Sequence, residues 1–308
     1  MRHFLFVAQY CLLAMGLSSH AYRVAFSDEP SQPKLPGLFD SAEGQNAKRL
    51  YEAVLLPAPA NVEAIQRIVD SGVDVDSQAA SGDTALVFAS VVNTRVEVVR
   101  KLVSLGADVN HCSDTITSPL SRSVLAGAYD VAEELVKSKA SVSLASTSGR
   151  LPLHFAGGNV CSAISRDPGQ RSNAKCIDLL VKHGADIRAV CPRKRSCLHY
   201  AVLYGNEETV AHLLKTYGGK LDVNARDKYE QTPLMCLLNP RHGAVPRSEL
   251  TEDEVLSIAE SLLKAGADPY LADSSNGEPG FDAFQISKER SEKLRELVSK
   301  YKRPKEDQ

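Results

Sequence analysis

LVSLGADVN, residues 102–110, recurs along the chain. Its variants are IVDSGVDVD (68–76), LVKSKASVS (135–143), LLVKHGADI (179–187), LLKTYGGKLDVN (213–224) and LLKAGADPY (262–270). The shared turn position holds Gly72, Gly106, Lys139, Gly184, Gly218 and Gly266, at separations of 34, 33, 45, 34 and 48 residues. The two long intervals read as 33 plus an insertion of 12 or 15. A fixed period near 33 marks an array of like supersecondary units, each burying its apolar face against its neighbours.

The residues before each turn explain it. Val98, Val99, Leu102 and Val103, and likewise Ile177, Leu179, Leu180 and Val181, have helical spacing and define one buried face. A Gly after the last helical residue suits a left-handed C-cap, which costs other residues energy. A second phrase follows about a dozen residues on. It reads DTALVFA (83–89), TSPLSRS (117–123), RLPLHFA (150–156), SCLHYA (196–201) and TPLMCL (232–237). Ser or Thr there can cap a helix, and Pro suits the first helical position, whose N–H has no partner in the helix. The unit is therefore loop, short helix, tight turn, second helix.

Two phrases recurring in phase resemble the ankyrin repeat, with its T-P-L-H-x-A and G-A-D-V-N patterns. The resemblance covers about Asn46 to Tyr301. It implies an all-α ankyrin-repeat solenoid of about seven helix-turn-helix units joined by extended loops. The N-terminal cap is expected to place helices near 47–56 and 61–71. Five central units begin near Gly82, Thr117, Gly149, Arg195 and Gln231, and the last begins near Gly277, with its second helix over 287–301. Lys139 stands where the turn Gly belongs, so that boundary is expected to be strained or altered. Cys197 replaces the motif Pro. The insertions fall near 158–173 and 239–253, each after a first helix. The acidic run ELTEDE (249–254) reads as a helix start, where acids favour the dipole.

The N-terminus reads differently. Met1-Arg2-His3 precedes a mostly apolar run, Phe4 to Leu17, and Ser19-His20-Ala21 supplies small residues where a signal peptidase reads. A cleavable signal peptide over 1–21 is expected, cut after Ala21. The run is short for a membrane span, which needs about 20 residues. Residues 22–45, with Pro30, Pro33 and Pro36, suit a flexible linker, and 302–308 a tail. The expected localisation is secreted or periplasmic, with no stable membrane insertion after cleavage.

The whole chain carries a net charge of −2, and −3 without residues 1–21. Nothing in that balance calls for nucleic acid as a partner. Seven cysteines less Cys11 leave six, an even count that fits export. Cys191 and Cys197 bracket one loop, and Cys161 and Cys176 bracket the first insertion. Both pairs are candidate disulfides in an oxidising compartment.

Little in the sequence speaks of catalysis. No phosphate-cradling glycine motif, HExxH or G-x-S-x-G is present. No cofactor and no metal site is expected. Cys191, Cys197 and His199 lack the second pair a structural zinc site needs. The resemblance implies that His154 and His199 brace loops to helices. It also implies that the concave face of first helices and loop tips binds another protein. Phasing each unit on its motif places Ser81, Asp83, Val91 and Val92 there, then Thr115, Thr117 and Leu125. Arg150 follows, then Arg193, Arg195, Leu203 and Tyr204, and finally Lys228, Tyr229 and Gln231. Tyr and Arg dominate binding hot spots, which favours Arg193, Arg195, Tyr204 and Tyr229. The expected function is a non-enzymatic, exported scaffold that binds a partner protein, as an immunity protein, an envelope chaperone or a secreted effector. The alternatives are a cysteine-dependent enzyme using Cys197 or Cys112, and an envelope spacer without a specific partner.

Overall fold

The computed structural model describes residues 39–91, 96–112, 118–158, 173–238, 250–272 and 282–301. These hold fourteen helices in seven consecutive pairs and no strand. The pairs are α1 (Ala42–Leu55) with α2 (Ala60–Asp70), α3 (Ala85–Val91) with α4 (Val96–Ser104), and α5 (Pro119–Leu125) with α6 (Tyr129–Lys137). They continue as α7 (Pro152–Gly157) with α8 (Asn173–Lys182), and α9 (Cys197–Leu203) with α10 (Glu207–Tyr217). The last are α11 (Pro233–Leu238) with α12 (Glu252–Lys264), and α13 (Ala283–Arg290) with α14 (Glu292–Ser299). Helices α1–α6 form one compact unit and α7–α14 a second. In the first unit, α1, α3 and α5 pack in one row and α2, α4 and α6 in another. In the second, α7, α9, α11 and α13 make one row and α8, α10, α12 and α14 the other.

The two rows differ in amphipathicity. Second helices bury one stripe, such as Val98, Val99 and Leu102 of α4 or Ile258, Ala259 and Leu262 of α12. Three short first helices are buried on all sides: every residue of α7, α9 and α11 is interior. Their starts are fixed as the phrases suggested. The Ser118 hydroxyl accepts the Ser121 N–H ahead of Pro119, and the Ser196 hydroxyl accepts that of His199. At α12, Thr251 and Glu254 cap each other reciprocally, so the acidic run does open a helix.

The turns after second helices share one hydrogen-bond pattern. Gly106 N–H donates to Val103 O at 3.0 Å and Ala107 N–H to Leu102 O at 3.1 Å, a Schellman arrangement. Gly72, Gly106, Gly184 and Gly266 have φ between 89° and 97°. A Cβ at any of them would meet nothing within 4 Å, so the backbone angle alone is what asks for glycine. Lys139 takes the same form: φ is 69°, its N–H donates to Val136 O and that of Ala140 to Leu135 O. The boundary is therefore strained but not rerouted. Gly218 departs from the pattern. Its φ is −52°, and a Cβ there would stand 2.3 Å from Leu214 O, so close approach rather than a left-handed turn selects glycine.

In three of the six phrases the last letter links one repeat to the next. Asp76 accepts the Asp108 N–H at 3.0 Å, Asn110 that of Ser141 at 2.8 Å, and Asn224 that of Asp268 at 2.8 Å.

Two boundaries differ from the sequence reading. Helix α1 begins at Ala42, capped by Ser41, because Gly44 and Gln45 lie in a first turn that polar composition concealed. The charged C-terminal stretch is two helices, since Ser291 leaves helical geometry (φ −162°) and caps α14. Residues 1–38 and most of both insertions lie outside the described residues.

Exposed Lys139 holds its left-handed turn against a cost of about 1 kcal/mol. Lys139→Gly is expected to raise the urea midpoint by a corresponding amount without changing the slope. A lowered midpoint would mean that the lysine side chain contributes more than the turn costs.

Candidate functional site

In the second unit α9 and α11 are each preceded by a loop that folds back on itself. Cys191 N–H donates to Arg195 O at 3.0 Å and Lys194 N–H to Cys191 O at 2.7 Å. The next tip repeats this, with Asp227 N–H to Gln231 O and Glu230 N–H to Asp227 O, both 3.0 Å. Adjacent tips touch. Lys228 N–H donates to Arg193 O at 2.8 Å, and a Cβ on Gly149 would fall 2.4 Å from Pro192 Cγ.

Arg195 is the residue whose role changes most. It was expected to face a partner, but only 2% of it is exposed. Its Nε lies 2.9 Å from Asp227 Oδ2, and Asp227 Oδ1 accepts the N–H groups of Tyr229 and Gln231. The pair ties one tip to the next from inside. Removing one member would strand a buried charge at a cost of about 3–5 kcal/mol, so Arg195 supports the site rather than lining it. Leu203 (6% exposed) and Gln231 (1%) are likewise interior. The first unit has a counterpart: Asp83 and Arg122 are both buried, with Oδ1 and Nη2 3.5 Å apart, and Ser81 bonds to Asp83. Ser81 and Asp83 are therefore structural. The sequence could not separate these cases, because a tip residue turned inward and one turned outward occupy neighbouring letters.

The remaining candidates keep accessible surface. Arg193 is exposed, and Arg150, Tyr204 and Tyr229 are half-buried. The Arg150 guanidinium sits 4.3 Å from the Phe155 ring centre and 5.6 Å from that of Tyr200. Tyr204 stacks on Tyr200 at 6.4 Å and lies over Gly158, where a Cβ would come within 2.4 Å of the ring. Tyr229 has the Arg195 guanidinium 5.8 Å from its ring centre. Arg150 and Tyr204 thus share one buried aromatic base, and Arg193 and Tyr229 share the joined tips. Phe155 and Tyr200 were missed, although each follows the motif His in its phrase. Among the first-unit candidates, Leu125 is half-buried at the end of α5. Val91 ends α3, and its side chain lies outside the described residues, as do Val92, Thr115 and Thr117.

The expected disulfides do not form where they can be seen. Cys191 and Cys197 are free thiols. Cys197 opens α9 and faces α7, its Sγ 3.0 Å from where a Gly157 Cβ would be, whereas Cys191 Sγ lies 3.4 Å from the Tyr200 hydroxyl. The two thiols thus have separate niches. Cys176 is a free, buried thiol on the core face of α8, and Cys161 lies outside the described residues. Burial pushes the Cys176 and Cys197 thiols up to about 12, opposite to what a nucleophile needs.

Nor does His199 stand ready as a base. Its Nδ1 accepts the Ser196 N–H at 3.2 Å and its Nε2 reaches Gln231 O at 3.3 Å, which fixes the neutral ring protonated at Nε2. His154 does the same between Leu151 N–H (2.9 Å) and Ala189 O (3.0 Å). Both bridge to the following loop. Among the described residues no group of His, Cys, Asp and Glu could hold a metal ion, and no helix is long and apolar enough to cross a membrane.

Comparison with known proteins agrees with this geometry. The family described as "Ankyrin repeats (3 copies)" matches residues 50–146 and 163–245, more than half of the chain. This chain is an ankyrin-repeat protein. The nuclear factor NF-kappa-B p105 subunit of Gallus gallus is 27% identical over 300 residues, covering 85% of the chain but 28% of that protein. Ankyrin repeat and SOCS box protein 16 of Homo sapiens is 25% identical over 252 residues, covering 72% of the chain and 53% of that protein. The chain thus spans about half or less of these relatives. Among solved structures, the human ASB11 ankyrin repeat domain superposes with a TM-score of 0.60 at 19% identity, covering 83% of the chain and 98% of that domain. That likeness concerns the fold. Ankyrin repeats are typically protein-binding modules and generally non-catalytic scaffolds, and the aromatic and arginine side chains above sit on such a scaffold.

The buried histidines set a pH dependence for the ankyrin domain. Burial lowers the His199 pKa from 6.5 to about 4, and the hydrogen bond to Gln231 opposes that only in part. Burial lowers His154 as well. The neutral rings contribute fully above pH 6.5, and for His199 that contribution is lost as pH falls from 6.5 towards about 4, because the unfolded chain takes up the proton first. Within that window each pH unit costs about 1.4 kcal/mol at His199. The urea midpoint is expected to fall from pH 7 to pH 5, and less steeply in His199→Gln. Equal slopes in the two proteins would show that His199 is not held neutral.

Proposed function

We propose that this ankyrin-repeat protein is a non-enzymatic module that binds a partner protein through the loop-tip and first-helix surface of its second unit. Arg150, Arg193, Tyr204 and Tyr229 are the contact residues. The observation that carries this reading is the preorganisation of half-buried rings and guanidinium groups: Arg150 and Tyr204 are both seated on Tyr200. Side chains already held in place lose little freedom when a partner arrives, and Tyr and Arg are the types that carry binding energy. Arg195 acts from beneath, holding the tips through Asp227.

The same proposal places the protein outside the cytoplasm. It rests on the short basic start, the apolar run and the small residues before Tyr22. An exported binder of this kind would serve as an immunity protein, an envelope chaperone or a secreted effector. The buried thiols give no support to the cysteine-dependent alternative.

The test is capture by the full chain expressed with its own N-terminus, with mass spectrometry of both bait and bound proteins. The bait is expected to begin at Tyr22. A partner held by the unaltered protein should bind at least about 10-fold more weakly to the Tyr204→Ala, Tyr229→Ala double variant, a loss of roughly 1.4 kcal/mol or more. Folding should remain intact. Undiminished capture by a folded double variant would place the interface elsewhere, and a bait that still begins at Met1 would sink the export reading.

A further inference from the structure

The loop tips of the array differ in charge. Two of them read Ala80-Ser81-Gly82 and Thr147-Ser148-Gly149, with no charged side chain. The two tips joined by the bond from Lys228 N–H to Arg193 O read Pro192-Arg193-Lys194 and Lys228-Tyr229-Glu230. Arg193, Lys194 and Lys228 are all exposed. The acids nearby are already engaged. Asp227 is wholly buried against Arg195 and two backbone N–H groups, and Glu230 lies 3.4 Å from Arg226. Among the described residues, three cations therefore stand on two joined tips whose acids face other groups.

Backbone geometry supplies a second, independent observation. The third position of each tip is left-handed: Gly82 has φ 73°, Gly149 72°, Lys194 54° and Glu230 58°. Two tips use glycine and bear no strain there. The two charged tips hold a lysine and a glutamate in a conformation costing such residues about 1 kcal/mol or more each. Glu230 has Arg226 as a return within the fold. Lys194 is exposed and has no ion pair among the described residues. Strain kept at a surface position without internal return points to use of that side chain outside the fold.

We propose that the joined tips 192–194 and 228–230 receive an Asp- and Glu-rich segment of the partner protein. Arg193, Lys194 and Lys228 face its carboxylates, and the half-buried ring of Tyr229 packs on it beside them. This rests on the protein-binding reading above and adds the chemistry of what is bound. Nucleic acid fits less well. Three cations neutralise few phosphates, whereas a DNA-binding surface typically makes about 6–10 phosphate contacts, and the whole chain is net negative.

The test uses the full chain and a short fluorescein-labelled Asp/Glu-rich peptide carrying one leucine, read by anisotropy at low and at physiological salt. A control peptide has lysine in place of each acid. The acidic peptide is expected to bind, more weakly as salt rises, and the lysine peptide not to bind. Lys194→Gly should weaken acidic-peptide binding about three-fold or more while raising the urea midpoint, a pairing that a merely structural lysine would not give. Arg193→Ala with Lys228→Ala should reduce binding further. No binding of the acidic peptide, or binding unchanged in these variants, overturns the proposal. So does displacement of the peptide by an oligothymidylate of equal length at equal concentration. If the partner found by capture is lost with Tyr204→Ala and Tyr229→Ala but kept by the tip variants, the binding-module reading stands and the acidic-segment proposal alone fails.

Discussion

Short first helices that cannot stand alone are the constraint on which this structure depends. Helices α3, α5, α7, α9 and α11 have six or seven residues, under two turns, and isolated helices of that length do not persist in water. In α3, α9 and α11, Leu86, Leu198 and Leu234 are buried because a neighbouring helix stands on each side. Each repeat must therefore present the next with the same surface at the same height. The near-33-residue period is the sequence record of that requirement. The insertions obey it too: both leave the chain after a first helix, where added length does not alter the stacking register.

Apolar stacking alone would leave the loops free to slide, and polar contacts between repeats prevent this. Asp76, Asn110 and Asn224 each accept a backbone N–H from the next repeat, and His154 and His199 each reach a backbone carbonyl one repeat on. Each such contact is worth only about 1 kcal/mol, but leaving a buried His154 or His199 unpaired costs more, so a displaced register is penalised at several points at once. Arg195 with Asp227 adds the strongest of these contacts in the second unit. It fixes the tips on which the exposed side chains stand, so the accessible site depends on an inaccessible ion pair.

This division explains what could be read from the chain. The turn glycines, the caps and the two histidines were legible because each is a repeated answer to one repeated backbone demand. Gly218 broke the rule for a reason no phrase could show, the approach of Leu214 O. Arg195, Leu203, Ser81 and Asp83 were misplaced because phasing on the motif gives a residue's position in the repeat but not the direction of its side chain. That direction depends on its partner in the next repeat, such as Asp227 for Arg195, some 32 residues away. The cysteines misled for a related reason. A loop bracketed by Cys191 and Cys197 suggests a bridge, yet Cys197 has taken the motif proline's place at the start of a buried helix and is committed to α7. Burial already accounts for it.

Departures from the repeat pattern also have to be weighed against one another. Lys139 and Lys194 both hold left-handed conformations at positions where other repeats have glycine, and local strain by itself does not distinguish them. Their surroundings do. Lys139 follows α6 alone, in a turn whose counterparts carry the same hydrogen bonds with glycine, and its neighbours Ser138 and Ala140 carry no charge. Lys194 sits at a tip bonded to a second strained tip, with Arg193 and Lys228 exposed beside it and the nearby acids turned to other partners. Drift suffices for an isolated cost of about 1 kcal/mol in a fold that tolerates it. At Lys194 the cost has no return inside the fold, and it stands beside the exposed Arg193 and Lys228 and next to half-buried rings held in place, which makes a functional demand the more economical account.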